Sequence, residues 1–235
     1  MKKITVVSLL ALSVVAFSGA GAKPAAAAGG AEISGKVMLS SAAPVCEKIK
    51  MAADPVCLSQ HKDTVVKQDV VANGGNLQYA VVYLDGVTGS YPAPANAVQL
   101  VQVGCMYEPH VFAAQVGQKV EIINNDGTLH NVNCQAKMNK KFNLAQPTKG
   151  MKSAKVFDQA EVGIPIKCNV HPWMMAWGNI FSHPFFAVTG PDGSFSIKGV
   201  PAGKYTVKVW QEKLGTKSQE VTVADGEMKS VSFSL

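Results

Sequence analysis

Gly117-Gln118-Lys119-Val120-Glu121-Ile122-Ile123-Asn124-Asn125-Asp126 leads through Gly127-Thr128-Leu129 into His130-Asn131-Val132. About forty residues on, the chain reads Cys168-Asn169-Val170-His171-Pro172-Trp173-Met174-Met175. Residues 111–116 and 118–124 are apolar runs with Gly117 between them, the pattern of two strands joined by a turn. The loop after the second delivers His130. Cys168-x2-His171 with a nearby Met adds a thiolate, a second imidazole and a thioether. Two imidazoles, one thiolate and a weak thioether suit a trigonal copper site, and zinc more often takes further Cys, His or carboxylate. Such a set holds Cu(I) and Cu(II) with little rearrangement, which one-electron transfer needs.

The same β pattern continues outward. Residues 33–39 and 77–84 alternate or are apolar and predict strands, and the stretch 41–76 between them is irregular. Residues 86–96, rich in Gly, Ser and Pro, predict a loop. Residues 135–152 carry Lys, Asn, Gln and Pro and predict a long surface excursion. Strands resume at 154–157, 162–167 and 178–181. After residue 185 the chain reads strand-turn-strand to its end, punctuated by Gly190-Pro191-Asp192-Gly193 and Val200-Pro201-Ala202-Gly203. No long 3.6-residue periodicity occurs, so the fold class is all-β.

Composition bounds the partners. The chain has 235 residues, 47% of them hydrophobic, enough for one or two domains with real cores. Lys2 and Lys3 precede an apolar run over 4–17, and Ala20-Gly21-Ala22 is a small-x-small cleavage site. Residues 1–22 therefore read as a secretory signal peptide, and the location expected is periplasmic or extracellular. The run is short for a membrane span, so none is expected after cleavage. The formal charge is +6, and every basic residue is Lys. Nucleic-acid and phosphate sites favour the Arg fork, so no nucleic-acid partner is expected. Export permits disulfides among the five cysteines. With Cys168 on a metal, the favoured pair is Cys57–Cys105, which would tie the 41–76 stretch to the strands. Cys46 and Cys134 then pair with each other or stay free.

Residues 105–181, about a third of the chain, resemble the cupredoxins, the plastocyanin-like blue copper fold with Greek-key topology. The segment 117–126, Leu129-His130-Asn131-Val132 and Cys168-x2-His171 carry the resemblance. It implies that His130, Cys168 and His171 ligate one copper ion, and that Asn131 ties the His130 loop to the Cys168 loop. The axial position departs from plastocyanin. His171-x2-Met174 resembles the spacing in the dinuclear copper centre of cytochrome oxidase, but a single loop Cys leaves a mononuclear site. Met174 is the axial choice and Met175 the alternative.

A second resemblance is to the carboxypeptidase regulatory-like, or transthyretin-like, β-sandwich. It rests on Asp192-Gly193-Ser194-Phe195 and on Val200-Pro201-Ala202-Gly203-Lys204-Tyr205. Ser34-Gly35-Lys36-Val37 and Ala80-Val81-Val82-Tyr83-Leu84 match strands that come earlier in that family. The organisation implied is a small sandwich split into 23–96 and 185–235, with a copper unit at 97–184 inserted. Two tandem domains dividing near Phe185 are the alternative.

The function expected is one-electron transfer with a redox protein such as a cytochrome or a membrane oxidoreductase. The alternatives are copper handling without redox turnover and a structural envelope module stabilised by its metal. No catalytic constellation is present: there is no Ser-His-Asp ordering, Gly-rich phosphate loop or Cys-x-x-Cys, so no enzyme is expected. His61 in Cys57-x3-His61 and His110 are expected in structural or surface roles, and His183 at a junction between units. Trp173, Trp177 and Phe181 read first as core residues. The lysines of 135–155 form a solvated face or a docking patch for an acidic partner.

Overall fold

The computed structural model describes residues 29–235, so the proposed leader 1–22 lies outside the described residues. The architecture is all-β, with several mixed sheets. Among the described residues the only helix is Pro55–Ser59, and none is long and apolar enough to cross a membrane.

Two sheets converge on one apolar cluster. In the first, Val71–Asn73, Asn76–Gln78, Ala31–Met38 and Ser194–Val200 pair antiparallel in that order, and Met228–Ser230 and Phe233–Ser234 join Ala31–Met38 in parallel. In the second, Phe186–Val188, Val81–Asp85, Gly203–Gln211 and Gly215–Val223 are antiparallel neighbours. Period-2 alternation places Phe195 and Ile197 inside and Ser196 and Lys198 outside. Those two meet Ile33, Leu77, Val82, Leu84, Val207 and Val209 in the core. Gly35 has no tolerable substitute here. A Cβ would lie 1.8 Å from the carbonyl oxygen of Val231, whose N–H donates to Ser34.

The other two sheets build a second cluster. Met106–Glu108, Val98–Val103, Lys119–Asn124 and Lys152–Val156 form one, with Val98–Val103 and Lys119–Asn124 parallel. Val111–Gln115, Met175–Phe181, Glu161–Lys167, His130–Cys134 and Phe142–Gln146 form the other, with only its first pair parallel. Leu100, Val120 and Ile122 from one sheet pack with Phe112, Val132, Ile164, Ile166 and Ile180 from the other. Each such side chain contributes about 1.5–3 kcal/mol when wholly buried. Between the two clusters lies an aromatic seam. Tyr79, Val81, Val111 and Phe181 are buried there, and the rings of Trp177 and Trp210 meet edge to face at 5.7 Å.

Three local expectations change. The run 77–84 is broken into Asn76–Gln78 and Val81–Asp85, because Tyr79 adopts φ 64°. The 135–152 excursion contains a strand, Phe142–Gln146, whose partner is His130–Cys134. Its exposed edge explains its polar composition. The 41–76 stretch is not wholly irregular, since Lys48 and Val66 bridge antiparallel and Pro55–Ser59 is helical.

Candidate metal centre

Asp54-Pro55 opens the helix in the usual way. The Asp54 carboxylate accepts N–H bonds from Val56 at 2.8 Å and Cys57 at 3.3 Å, and Pro sits where its missing N–H costs nothing. Cys57 is bonded to Cys105, with Cα atoms 5.5 Å apart. Cys105 lies on the Gly104-Cys105 turn, with φ of 61° and 50°. Asp126 holds that turn by accepting both of its N–H groups at 2.8 Å. Cys46, Cys134 and Cys168 are free thiols.

The two carboxylates then reach the two histidines. Asp126 Oδ2 lies 2.9 Å from His130 Nε2, and Asp54 Oδ2 lies 3.0 Å from His171 Nε2. Both imidazoles are buried, at 0% and 2% exposure. Burial resists ionisation of each carboxyl, but the His171, Thr128, Cys57 and Val56 bonds hold Asp54 down to about 2. Burial likewise opposes the Asp126 charge, and the His130, Cys105 and Gly104 bonds overcome it. An ionised carboxylate only accepts, so each histidine carries its proton on Nε2. Both Nδ1 atoms turn inward, 2.9 Å apart. Two bare acceptors at that distance repel each other. A proton or a cation between them removes the repulsion.

The third donor stands at the same point. Cys168 Sγ is 3.8 Å from His171 Nδ1, and the donor atoms of His130, Cys168 and His171 all lie within 4.8 Å of one another. Burial raises the Cys168 thiol, yet His130 and surrounding N–H groups bring it down to about 7. Burial disfavours the His130 cation, yet Asp126 and Cys168 lift its pKa to about 9. Without a metal, thiolate and imidazolium stabilise each other. Asn131 Oδ1 accepts the Asn169 N–H at 2.6 Å and lies 3.4 Å from Cys168 Sγ, so it joins the two loops. Tyr107 donates to the Asn131 carbonyl at 2.6 Å, and burial pushes its phenol up.

The loop closes on itself through Met174 N–H to the His171 carbonyl at 2.9 Å and Cys168 N–H to the Met174 carbonyl at 3.2 Å. Met174 is wholly buried in the cluster that holds Cys168. Met175 instead lines a cavity with Met106, His110 and Trp177.

The three donors His130, Cys168 and His171 test well against copper: soft and borderline atoms converge, and each imidazole is oriented by a carboxylate. The cysteines of a neighbouring Cys57, Cys105 and His171 grouping are spent in the disulfide. That bond also removes Cys57-x3-His61 as a metal motif, and His61 Nε2 meets the Gly104 carbonyl at 2.7 Å. His110 is not a surface residue. It is 3% exposed, with Nε2 3.2 Å from Glu212 Oε1 and Nδ1 3.1 Å from the Met175 carbonyl oxygen. His183 packs against Phe181 and Phe185, beside a cavity of about 360 Å³.

Sequence reasoning missed Asp54 and Asp126. Asp-Pro before a short helix signals an N-cap, but nothing local says that its second oxygen faces a histidine 117 positions away. Asp54→Asn separates the two roles, because Asn caps a helix as well as Asp but carries no charge. Its expected cost is about 10–100-fold in copper affinity with the melting curve little changed. Unchanged affinity in a competition titration would remove the carboxylate from the site's design.

The family model for polysaccharide lyase family 4, domain II, matches residues 176–231, where the sequence suggested a carboxypeptidase regulatory-like sandwich. No curated protein matches the chain. Among solved structures, the chain is similar to the copper-containing nitrite reductase NirK of Thermus scotoductus SA-01, with 19% identity and a TM-score of 0.35 over 40% of this chain and 24% of that one. It thus spans about a quarter of the reductase's length. It is similar to a purple cupredoxin from Nitrosopumilus maritimus, with 23% identity and a TM-score of 0.31 over 35% of this chain and 98% of that one. It is similar to amicyanin from Paracoccus versutus, with 19% identity and a TM-score of 0.33 over 42% of this chain and 96% of that one. These are distant, partial likenesses to cupredoxin-like folds.

Proposed function

We propose that this chain is an exported one-electron carrier that holds a single copper ion at His130, Cys168, His171 and Met174. The observation that carries the reading is the pair of Nδ1 atoms facing each other at 2.9 Å beside a low-pKa thiol, with both Nε2 atoms committed to carboxylates. Bound copper supplies a Cu(I)/Cu(II) couple. The chain's own residues keep the donors in place through any change of charge. Asp126 and Asp54 fix tautomer and ring orientation, Asn131 fixes the Cys168 loop, and burial excludes water. Near-complete burial of all three donors favours a retained metal over one handed on. The leader 1–22 directs the chain to the periplasm or outside the cell. Its partners are redox proteins, a cytochrome or a membrane oxidoreductase.

The copper unit is residues 97–184, inserted into a second sandwich made by 23–96 and 185–235. Pairing of Ala31–Met38 with Ser194–Val200, and of Val81–Asp85 with Gly203–Gln211, supports that division. So do two apolar clusters drawn from different sheets, with Met51 and Cys57 of the 23–96 part crossing over to pack in the copper unit's core.

The test is metal analysis with optical and electron-paramagnetic spectra. One copper per chain is expected, with thiolate-to-copper absorption that appears on oxidation and bleaches reversibly. Tight Cu(I) binding without a stable Cu(II) form would replace electron transfer by copper handling. The affinity carries a further signature. Binding displaces the Cys168 proton below about pH 7 and the His130 proton below about pH 9. Apparent affinity therefore rises about tenfold per pH unit between 7 and 9, more steeply below 7, and levels off above 9. A flat profile from pH 5 to 9 would show that these two groups do not bind the metal.

A further inference from the structure

The edge of His171 that an approaching protein would meet is covered. Asp54 occupies Nε2 at 3.0 Å, and Cys57 Sγ lies 3.5 Å from the same nitrogen. The aromatic side chain beside His171 that reaches the surface is Trp173. Its ring centroid is 5.1 Å from that of His171, and its Nε1–H donates to the Cys105 carbonyl at 3.0 Å. The ring is therefore fixed by the histidine and by the disulfide turn, and the preceding Pro172 is exposed.

Lysines flank one side of this point; on the other, Pro172 and Trp173 share a cavity with Asp69, paired to Lys213, and Glu212, held by His110. Pro172 and Trp173 share a concavity of about 330 Å³ with Lys48, Ile49, Lys50 and Lys67. The 47–50 segment is held to 65–67 by Ile49 N–H to the Val65 carbonyl and Lys67 N–H to the Glu47 carbonyl, both at 2.9 Å. Extended backbone sends Ile49 to the core side, where it packs on the apolar cluster, and leaves Lys48 and Lys50 exposed. Glu47 also lines the concavity, and Lys67 neutralises it at 2.5 Å. Among the described residues, Lys48 and Lys50 form no ion pair, so their charge is free to act on a partner.

We propose that this Trp173 face is the docking surface for an acidic redox protein, whose carboxylates meet Lys48 and Lys50 while its apolar centre covers Pro172 and Trp173. The inference rests on the electron-transfer reading for the partner's identity. The alternative basic surface is the 137–152 excursion, where Lys140 and Lys141 are also exposed. It lacks an aromatic contact to either histidine.

The first test uses the full chain without metal, so it does not depend on copper binding. Hexacyanochromate(III), a trivalent paramagnetic anion, broadens amide signals where it rests. Broadening is expected at residues 48–50 and 173, and maximal broadening at 140–141, or none localised, overturns the proposal. The second test uses an acidic [2Fe–2S] ferredoxin as the protein probe. Lys48→Glu with Lys50→Glu should weaken its binding about tenfold or more at low salt, with the difference shrinking as salt rises. Lys140→Glu with Lys141→Glu, the same change in net charge, should stay within about twofold. Equal losses for both pairs, or binding of the small anion without the ferredoxin, overturn the docking surface. If the face maps as expected but the protein holds no copper, the electron-transfer reading fails and the surface stands.

Discussion

Cys168→Ser is expected to abolish the thiolate-to-copper absorption and to lower copper affinity by more than the roughly 10–100-fold that loss of an outer partner costs. A hydroxyl is a hard, poorly ionised donor, and it cannot replace the soft thiolate between two imidazoles. The fold should survive. Cys168 and Ser are close in size, and the Met174 carbonyl and Asn131 side chain still hold the loop through the backbone N–H groups of residues 168 and 169. The β-sheet circular dichroism should then match that of the parent protein. A variant that kept an intense visible band, or kept copper under the same chelator, would move the metal away from Cys168 altogether. A variant that lost its sheets would show Cys168 to be a packing residue first.

Replacing both Cys57 and Cys105 with Ala is expected to cost about 2–4 kcal/mol of stability in urea unfolding. The bond closes a loop with a sequence separation of 48, which is long enough for the constraint on the unfolded chain to be large. The effect should also reach the metal centre unevenly. Asp54 hangs on the helix that Cys57 anchors, so His171 loses its orienting partner. Asp126 and His130 sit on the strand side and keep their 2.9 Å contact. Hydrogen exchange over 47–67 should therefore accelerate while 130–134 stays protected. Stability within about 0.5 kcal/mol of the parent, with exchange unchanged over 47–67, would show that packing alone holds the cover in place.

Much of the scaffold was legible because it is periodic. Alternation in Ser194–Val200, and the apolar runs at 111–116 and 118–124, follow from side chains pointing to opposite faces of a strand. The polar strand Phe142–Gln146 was not legible. An edge strand has one neighbour, its Asn143 and Ala145 face water, and its composition reads as loop. Nor was His110, whose setting depends on Glu212 from a distant strand connection.

Sequence alone determined the types of the candidate donors and their spacing. A thiolate, two imidazoles and a nearby thioether on strand-end loops are local features, and their chemistry travels with the residues. It also determined which strands could exist. Tertiary structure decided what the donors face. Asp54 is an ordinary acid along the chain, and only long-range folding turns it toward His171 Nε2, whereas Asp126 meets His130 Nε2 from four residues away within the same loop; together they direct both Nδ1 atoms inward. The same folding, through the Cys57–Cys105 bond, lays the 54–59 segment over His171 and leaves Trp173, half-buried, as the ring beside His171 that reaches the surface. A hydrogen bond between residues more than a hundred positions apart depends on the register of every strand between them, and no local pattern encodes that register.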